Sequence, residues 1–219
     1  MSRPWRRWAL KVLDAIGVGD LARIGHGALT ETGWRRSLRE GASVDARGEP
    51  LPWISYPAID LLAQRVPRDC RVFEYGAGNS TRWWAARVDV LASVEHDAAW
   101  FRQLRGTLPA AVRLDHVPLL DGGDYGRHAR TVAAELGQPW DLVVVDGRDR
   151  VHCLRESAEA LSPRGVVLLD NSERPQYAPG IEHLRARGFR QLPLRGLAPL
   201  LDHVTETSIL YRAGNVLDL

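Results

Sequence analysis

Lysine is almost missing from this chain. Lys11 stands alone among 29 basic residues, and the rest are arginine. Arginine stays protonated at any ordinary pH, so almost none of the basic side chains can act as a general base. Cysteine is scarce too. Cys70 and Cys153 offer no disulfide framework and no zinc-ligand spacing, and both read as small buried apolar residues in a reducing, cytoplasmic setting. No apolar run is long enough to span a bilayer, and no signal-peptide pattern opens the chain. Net charge is only +2 over 219 residues, which gives no electrostatic case for a nucleic-acid partner. What remains is 45% hydrophobic and 26% charged, enough core for one α/β domain with extra segments.

The richest stretch is Arg71-Val-Phe-Glu-Tyr-Gly-Ala-Gly-Asn-Ser-Thr-Arg-Trp-Trp-Ala85. Val72 and Phe73 begin a strand after the break at Pro67-Arg-Asp69. Gly76 and Gly78 permit a close ligand approach. Ser80 or Thr81 is expected to cap a helix running through Trp83 and Trp84. Strand, glycine turn and helix start bring backbone N–H groups against a nucleotide-like ligand. The third glycine of a dinucleotide fingerprint is absent, and Glu74 lies two residues before the first glycine.

Upstream, residues 4–16 carry an amphipathic pattern. Trp5, Trp8, Val12, Leu13 and Ile16 follow helical spacing, with Arg6, Arg7 and Lys11 mostly off that stripe. Such a helix packs on its own domain or lies as a peripheral contact on a membrane surface. Residues 17–50 show no sustained period, and residues 41–50 read as an exposed loop or weak hairpin. In Leu51-Pro-Trp-Ile-Ser-Tyr-Pro57 two aromatics sit between prolines. That segment is stiff, and Trp53 and Tyr56 either wall a ligand pocket or fill core. Pro57 opens a helix that Pro67 stops.

Beyond the glycine turn, Val90–Glu95 reads as a strand ending on a carboxylate roughly 20 residues after the glycines, the spacing for an acid that accepts two ribose hydroxyls. His96 follows, and Asp97 caps the helix from Ala98 to Arg105. A strand is expected near residues 111–117 and a helix from Arg127 to Leu136. Asp121 and Tyr125 are candidates beside a base. Asp141-Leu-Val-Val-Val-Asp146 is a strand buried on both faces of a parallel sheet. A helix from Val151 to Leu161, a loop at Ser162–Gly165 and a strand from Val166 to Asn171 follow. A helix from Ile181 to Arg187 precedes two last strands, Phe189–Leu194 and Thr207–Arg212, antiparallel to each other. Alternation of strand and helix predicts a doubly wound, Rossmann-like, mostly parallel sheet with helices on both faces. Glu74, Glu95, Asp146 and Asp170 then converge at strand tips, where such sheets bind ligands.

From residue 71 to 171 the chain resembles class I S-adenosylmethionine (SAM)-dependent methyltransferases. Glu74 to Ser80 resembles their first motif, Glu95 their ribose-binding acid, and Asp141 to Asp146 their fourth strand. The resemblance implies a seven-stranded sheet with the last strand reversed. It implies SAM held by Glu74, Gly76, Ala77, Gly78, Asn79, Ser80, Glu95, His96 and Asp146, its methyl directed toward Asp146. Phe73–Thr81 and Val166–Ser172 are similar to stretches of a bacterial methyltransferase-like group. Asp146 with Asp170-Asn171 also resembles the magnesium site of catechol-type O-methyltransferases, although Asp149 stands where those enzymes place a lysine base. In that reading a metal binds Asp146, Asp170 and Asn171; otherwise Asp146 lies near the methionine amino group and Asp170-Asn171 caps a loop.

The expected activity is methyl transfer to oxygen of a small-molecule or glycan-like acceptor, with Asp146, Asp149 and His152 as candidates to take the proton. The expected division is an N-terminal helical and loop extension, residues 1–56, and a methyltransferase domain, residues 57–219. Competing readings are a noncatalytic module on the same fold, a nicotinamide-dependent oxidoreductase, and an RNA or protein methyltransferase. Self-association stays open.

Overall fold

The computed structural model describes residues 12–15, 17–120 and 123–219. Of the expected N-terminal helix, only residues 12–15 are described, and they are helical. The rest of that segment, and Asp121, lie outside the described residues.

Seven strands form one sheet: β1 (Arg71–Tyr75), β2 (Val90–Glu95), β3 (Arg113–His116), β4 (Trp140–Val145), β5 (Leu161–Asp170), β6 (Arg190–Gly196) and β7 (Thr205–Tyr211). Their spatial order is β3-β2-β1-β4-β5-β7-β6. The first five run parallel, and β7 is antiparallel to both β5 and β6. This is an α/β, Rossmann-like doubly wound sheet, and its order reverses between β1 and β4. Loops leaving these two strands diverge, which opens a crevice at their carboxyl ends.

Helices cover both faces because the central strands are apolar on both. Phe73, Tyr75, Val143, Val145, Val167 and Leu169 pack on one side with residues of α7 (Asp124–Leu136), α8 (Arg150–Ala160) and α9 (Ala178–Arg185). Val72, Leu142, Val144, Val166, Leu168 and Ile209 pack on the other with α4 (Tyr56–Arg65) and α5 (Asn79–Ala85). Alternate residues thus serve opposite layers, the period-two rule of a strand. α6 (Ala98–Arg105) follows β2, and Asp97 caps it by accepting from the N–H groups of Ala99 and Trp100.

Three features depart from sequence expectation. Residues 17–50 contain α1 (Gly19–His26), α2 (Ala28–Glu31) and α3 (Trp34–Glu40). These short helices escape a periodicity test because each spans few turns. Residues 44–50 make only one bridge, Val44 to Pro50, in keeping with a weak hairpin. Second, Ser162–Gly165 belongs to β5, as a distortion: Trp140 pairs with Leu161, but Leu142 pairs with Val166. Asp141 fastens this region, accepting from Arg71 at 2.8 and 2.9 Å and from the Ser162 hydroxyl at 2.8 Å. Third, the cap of α5 is inverted. Gly78 holds the cap position, and its N–H donates to Thr81 Oγ1 at 2.9 Å.

The segment before β1 is joined to the sheet domain. Trp34 Nε1 donates to the Leu201 carbonyl at 2.6 Å, and Tyr56 N to the Leu197 carbonyl at 2.9 Å. Leu51 and Ile54 sit in the same core as α4 and α5. Among the described residues no helix is long and apolar enough to cross a membrane.

Candidate functional site

A cavity of about 760 Å³ lies over the carboxyl ends of β1, β2, β4 and β5. That volume is ordinary for sites taking cofactor-sized ligands, roughly 300–1,000 Å³. Its floor is the glycine turn. Gly76 has φ +88°, and a Cβ there would approach Gly147 Cα to 2.8 Å. The turns after β1 and β4 therefore meet backbone to backbone at the reversal point. Space beside Gly78 is open. Ala77, Asn79 and Ser80 also face the cavity. Asn79 Nδ2 donates to the Ser43 carbonyl at 2.9 Å, which brings the N-terminal segment to the rim.

Glu95 stands at one end. It is 4% exposed, and Oε1 accepts from the backbone N–H groups of His96 and Asp97, both at 2.8 Å. Oε2 has only a long contact, 3.3 Å from Ala77 N. One oxygen is thus pinned while the other keeps acceptor capacity, which suits a carboxylate waiting for hydroxyl donors. His96 lines the cavity beside it, its Nδ1 2.8 Å from Glu95 Oε1. Trp100 adds a flat apolar wall, held because its indole N–H donates to the Ala77 carbonyl at 2.8 Å. Nothing in the sequence marks Trp100 except its place on the first turn of the helix after Glu95.

Glu74 is not in the cavity. It lies fully buried beneath the turn, where Oε2 accepts from the hydroxyls of Thr81 at 2.5 Å and Ser93 at 2.9 Å. Its role in this geometry is to brace the turn from below. Burial pushes its pKa up to about 7, against the opposing pull of those hydroxyls.

The opposite end is built on Arg150, the first residue of α8. Its side chain is 10% exposed. It donates to Asp146 Oδ1 at 2.9 Å, to the backbone carbonyls of Asp146 and Gly147 at 3.0 Å, and to the Asp170 carbonyl. It reaches Asn171 Oδ1 at 3.4 Å and lies 3.8 Å from Asp170 Oδ2. Asp170 Oδ1 accepts from Thr207 Oγ1 at 2.8 Å. Asn171, with φ +53°, donates from Nδ2 to Thr205 Oγ1 at 3.2 Å.

This arrangement does not support the expected magnesium site. Between Asp146, Asp170 and Asn171 lies a guanidinium, hydrogen-bonded to Asp146 Oδ1 and Asn171 Oδ1 and 3.8 Å from Asp170 Oδ2. Among the described residues no group of three or more His, Cys, Asp or Glu side chains is placed to hold one. Burial and the Asp170 charge raise the pKa of Asp146 well above a usual carboxylate, with Arg150 opposing. Burial raises Asp170 to about 6.

His152 is a second correction. It faces α7, where a Cβ on Gly123 or Gly126 would strike its ring. Nδ1 lies 3.3 Å from Asp149 and Nε2 3.5 Å from Glu156, and the ring lines no part of the cavity. Tyr125 is buried against Tyr75 and His96, with ring centroids at 5.6 and 6.1 Å. It packs beneath the site. Trp53 lines the cavity with its side exposed to solvent, whereas Tyr56 packs against the core. Leu200, at a left-handed φ of +67°, and Leu201 complete an apolar margin. A bulky side chain in that region is strained.

Solved structures share this fold. An O-methyltransferase from Bacillus cereus in complex with SAH aligns with TM-score 0.56 at 12% identity, over 88% of this chain and 96% of that one. Precorrin-6y C5,15-methyltransferase from Geobacter metallireducens aligns at 0.53 and 14%, over 72% and 87%. The O-methyltransferase TomG from Streptomyces achromogenes, in complex with SAM, aligns at 0.52 and 16%, over 84% and 90%. The shared feature is the class I methyltransferase fold. No protein-family model matches the chain, and no curated protein matches it in sequence.

Proposed function

We propose that this chain is a SAM-dependent methyltransferase acting on a hydroxyl oxygen of a small-molecule or glycan-like acceptor. The observation that carries the reading is Glu95, fixed by two backbone N–H groups at one end of a cavity whose floor is the Gly76–Ser80 turn. Those residues fit the group: a carboxylate oxygen left open for ribose hydroxyls, a glycine floor without side chains, and Trp100 as a flat wall for a base. Bound there, SAM supplies an electrophilic methyl group on a sulfonium, and loss of that methyl to the acceptor oxygen leaves neutral SAH.

The chain's own part is positioning, exclusion of water and custody of a proton. Trp53, Leu200 and Leu201 add apolar wall to the same cavity. Orientation of this kind supplies several kcal/mol in well-aligned systems, on the order of 7–11 at its limit. Asp146, in its ionised form, takes the acceptor's hydroxyl proton. The Arg150 contact holds its orientation.

That same contact favours one alternative. An acid already paired with arginine is a weakened base, so a noncatalytic module that binds SAM without turnover is the second reading. Calorimetric titration of the 219-residue chain with SAM and SAH tests the common premise. Micromolar binding supports it, and silence from both at millimolar concentration overturns it. Asp146→Asn then separates the two: a turnover that falls at least tenfold supports catalysis.

A further inference from the structure

We infer that the methyl acceptor carries an oxyanion, a carboxylate or phosphate, and that Arg148 and Arg174 grip it. The inference rests on the methyltransferase reading and concerns the same cavity. Arg148 stands on the turn after β4 and Arg174 on the loop after β5. Both are exposed. Both line the main cavity at its Asp146 end, and both line an adjoining hollow of about 260 Å³.

Among the described residues neither guanidinium has a hydrogen-bond or ion-pair partner. This sets them apart from their neighbours. Arg150 is spent on Asp146 and the strand-end carbonyls. Arg82, at the cavity's other side, is held by Asn79 Oδ1 at 3.0 Å and Thr107 Oγ1 at 2.7 Å. The nearby acids are engaged as well. Asp149 turns to His152, and Glu173 accepts from Thr205 Oγ1 and from the Glu206 N–H. Two unneutralised arginines therefore face one space from two different loops. Arginine forks match planar or tetrahedral oxyanions in a bidentate fashion, and the pair is suited to one such group. With Trp53, Leu200 and Leu201 lining the same cavity, the acceptor they fit has an apolar body and an acidic end.

Two sources can present that chemistry: the acceptor, or the carboxylate of SAM itself. The test separates them. SAH is first titrated into wild type, Arg148→Ala/Arg174→Ala, and a control that removes equal charge elsewhere, Arg155→Ala/Arg190→Ala. Inorganic phosphate and acetate are then titrated into each SAH-saturated protein at constant ionic strength, read by tryptophan fluorescence. The expected result is anion binding that weakens at least tenfold in the Arg148/Arg174 variant alone, with SAH affinity unchanged within twofold. Equal anion affinity in all three proteins overturns the inference. A fall in SAH affinity in the Arg148/Arg174 variant also overturns it, and assigns these arginines to the cofactor. Failure of SAH to bind wild type sinks the methyltransferase reading and the acceptor assignment with it, whereas loss of the anion difference alone sinks only the latter.

Discussion

The guanidinium of Arg150 donates to Asp146 Oδ1 at 2.9 Å and lies 3.8 Å from Asp170 Oδ2, so one buried cation serves two carboxylates on adjacent strand tips. Removing one partner of such a group costs more than forming it gains, because the remaining charges stay buried. Arg150→Gln is expected to destabilise the fold by about 3–5 kcal/mol at neutral pH. The loss shrinks as pH falls, since Asp146 and Asp170 can then take protons. Urea unfolding at two pH values checks this, and an equal loss at both would show that the carboxylates are not the cause.

Glu95→Gln keeps the side chain's shape but turns one acceptor into a donor. The amide oxygen can still hold the N–H groups of His96 and Asp97. Hydrogen bonds to a charged group are worth about 1.5–3 kcal/mol, so SAH affinity should fall roughly 10- to 100-fold with little change in stability. His152→Ala is the contrast, with no effect on SAH affinity, because that ring packs on α7. Calorimetry on both variants reads the difference.

Glu74 gives the fold an acid-side preference. Its pKa rises from 4.5 unfolded to about 7 folded through burial. Below 4.5 both states hold the proton, and the contribution is fully present. Between 4.5 and 7 the folded state holds a proton that the unfolded chain has released. Stability from this group therefore falls as pH rises, and levels off above 7. The span corresponds to roughly 3 kcal/mol. Asp170, raised from 3.8 to about 6, slopes the same way. Denaturation midpoints for wild type and Glu74→Gln from pH 4 to 8 check it, and the variant should lose Glu74's share of the slope while that of Asp170 remains. A slope that persists unchanged rules Glu74 out as its source.

Gly147 has no room for a side chain. A Cβ there would overlap the Tyr125 hydroxyl and come within 3.0 Å of Gly76 N. Gly147→Ala should cost about 1–3 kcal/mol, the usual price of overpacking. Adding Tyr125→Phe, which deletes the overlapped oxygen, should restore part of that. A double-mutant cycle by thermal unfolding reads the coupling, and strict additivity would mean that the backbone contact with Gly76 dominates instead.

Much of the architecture follows from patterns one residue wide. Leu142-Val-Val-Val145 can only be a strand buried on both faces, and the alternation of such runs with helices fixes a doubly wound sheet. Short-range chemistry was equally legible: Asp97 caps α6. Glu95 could be placed at a strand tip because strand length and glycine spacing are local quantities. The helices of residues 19–40 were not legible, since pieces of four to eight residues carry too few turns to show a period.

What the linear order could not decide is where side chains point once strands from distant parts of the chain lie together. Glu74 looks like a ligand-facing acid beside the glycines, yet alternation along β1 turns it under the turn toward Thr81. Asp146, Asp170 and Asn171 make a metal set by resemblance to catechol-type O-methyltransferases. Only the packing of α8 against β4 and β5 reveals that Arg150 takes the cation's place, because an arginine four residues after an aspartate says nothing of its distance from another strand. Local pattern determined the sheet and the glycine floor; the charge balance at its far end was decided by tertiary contact.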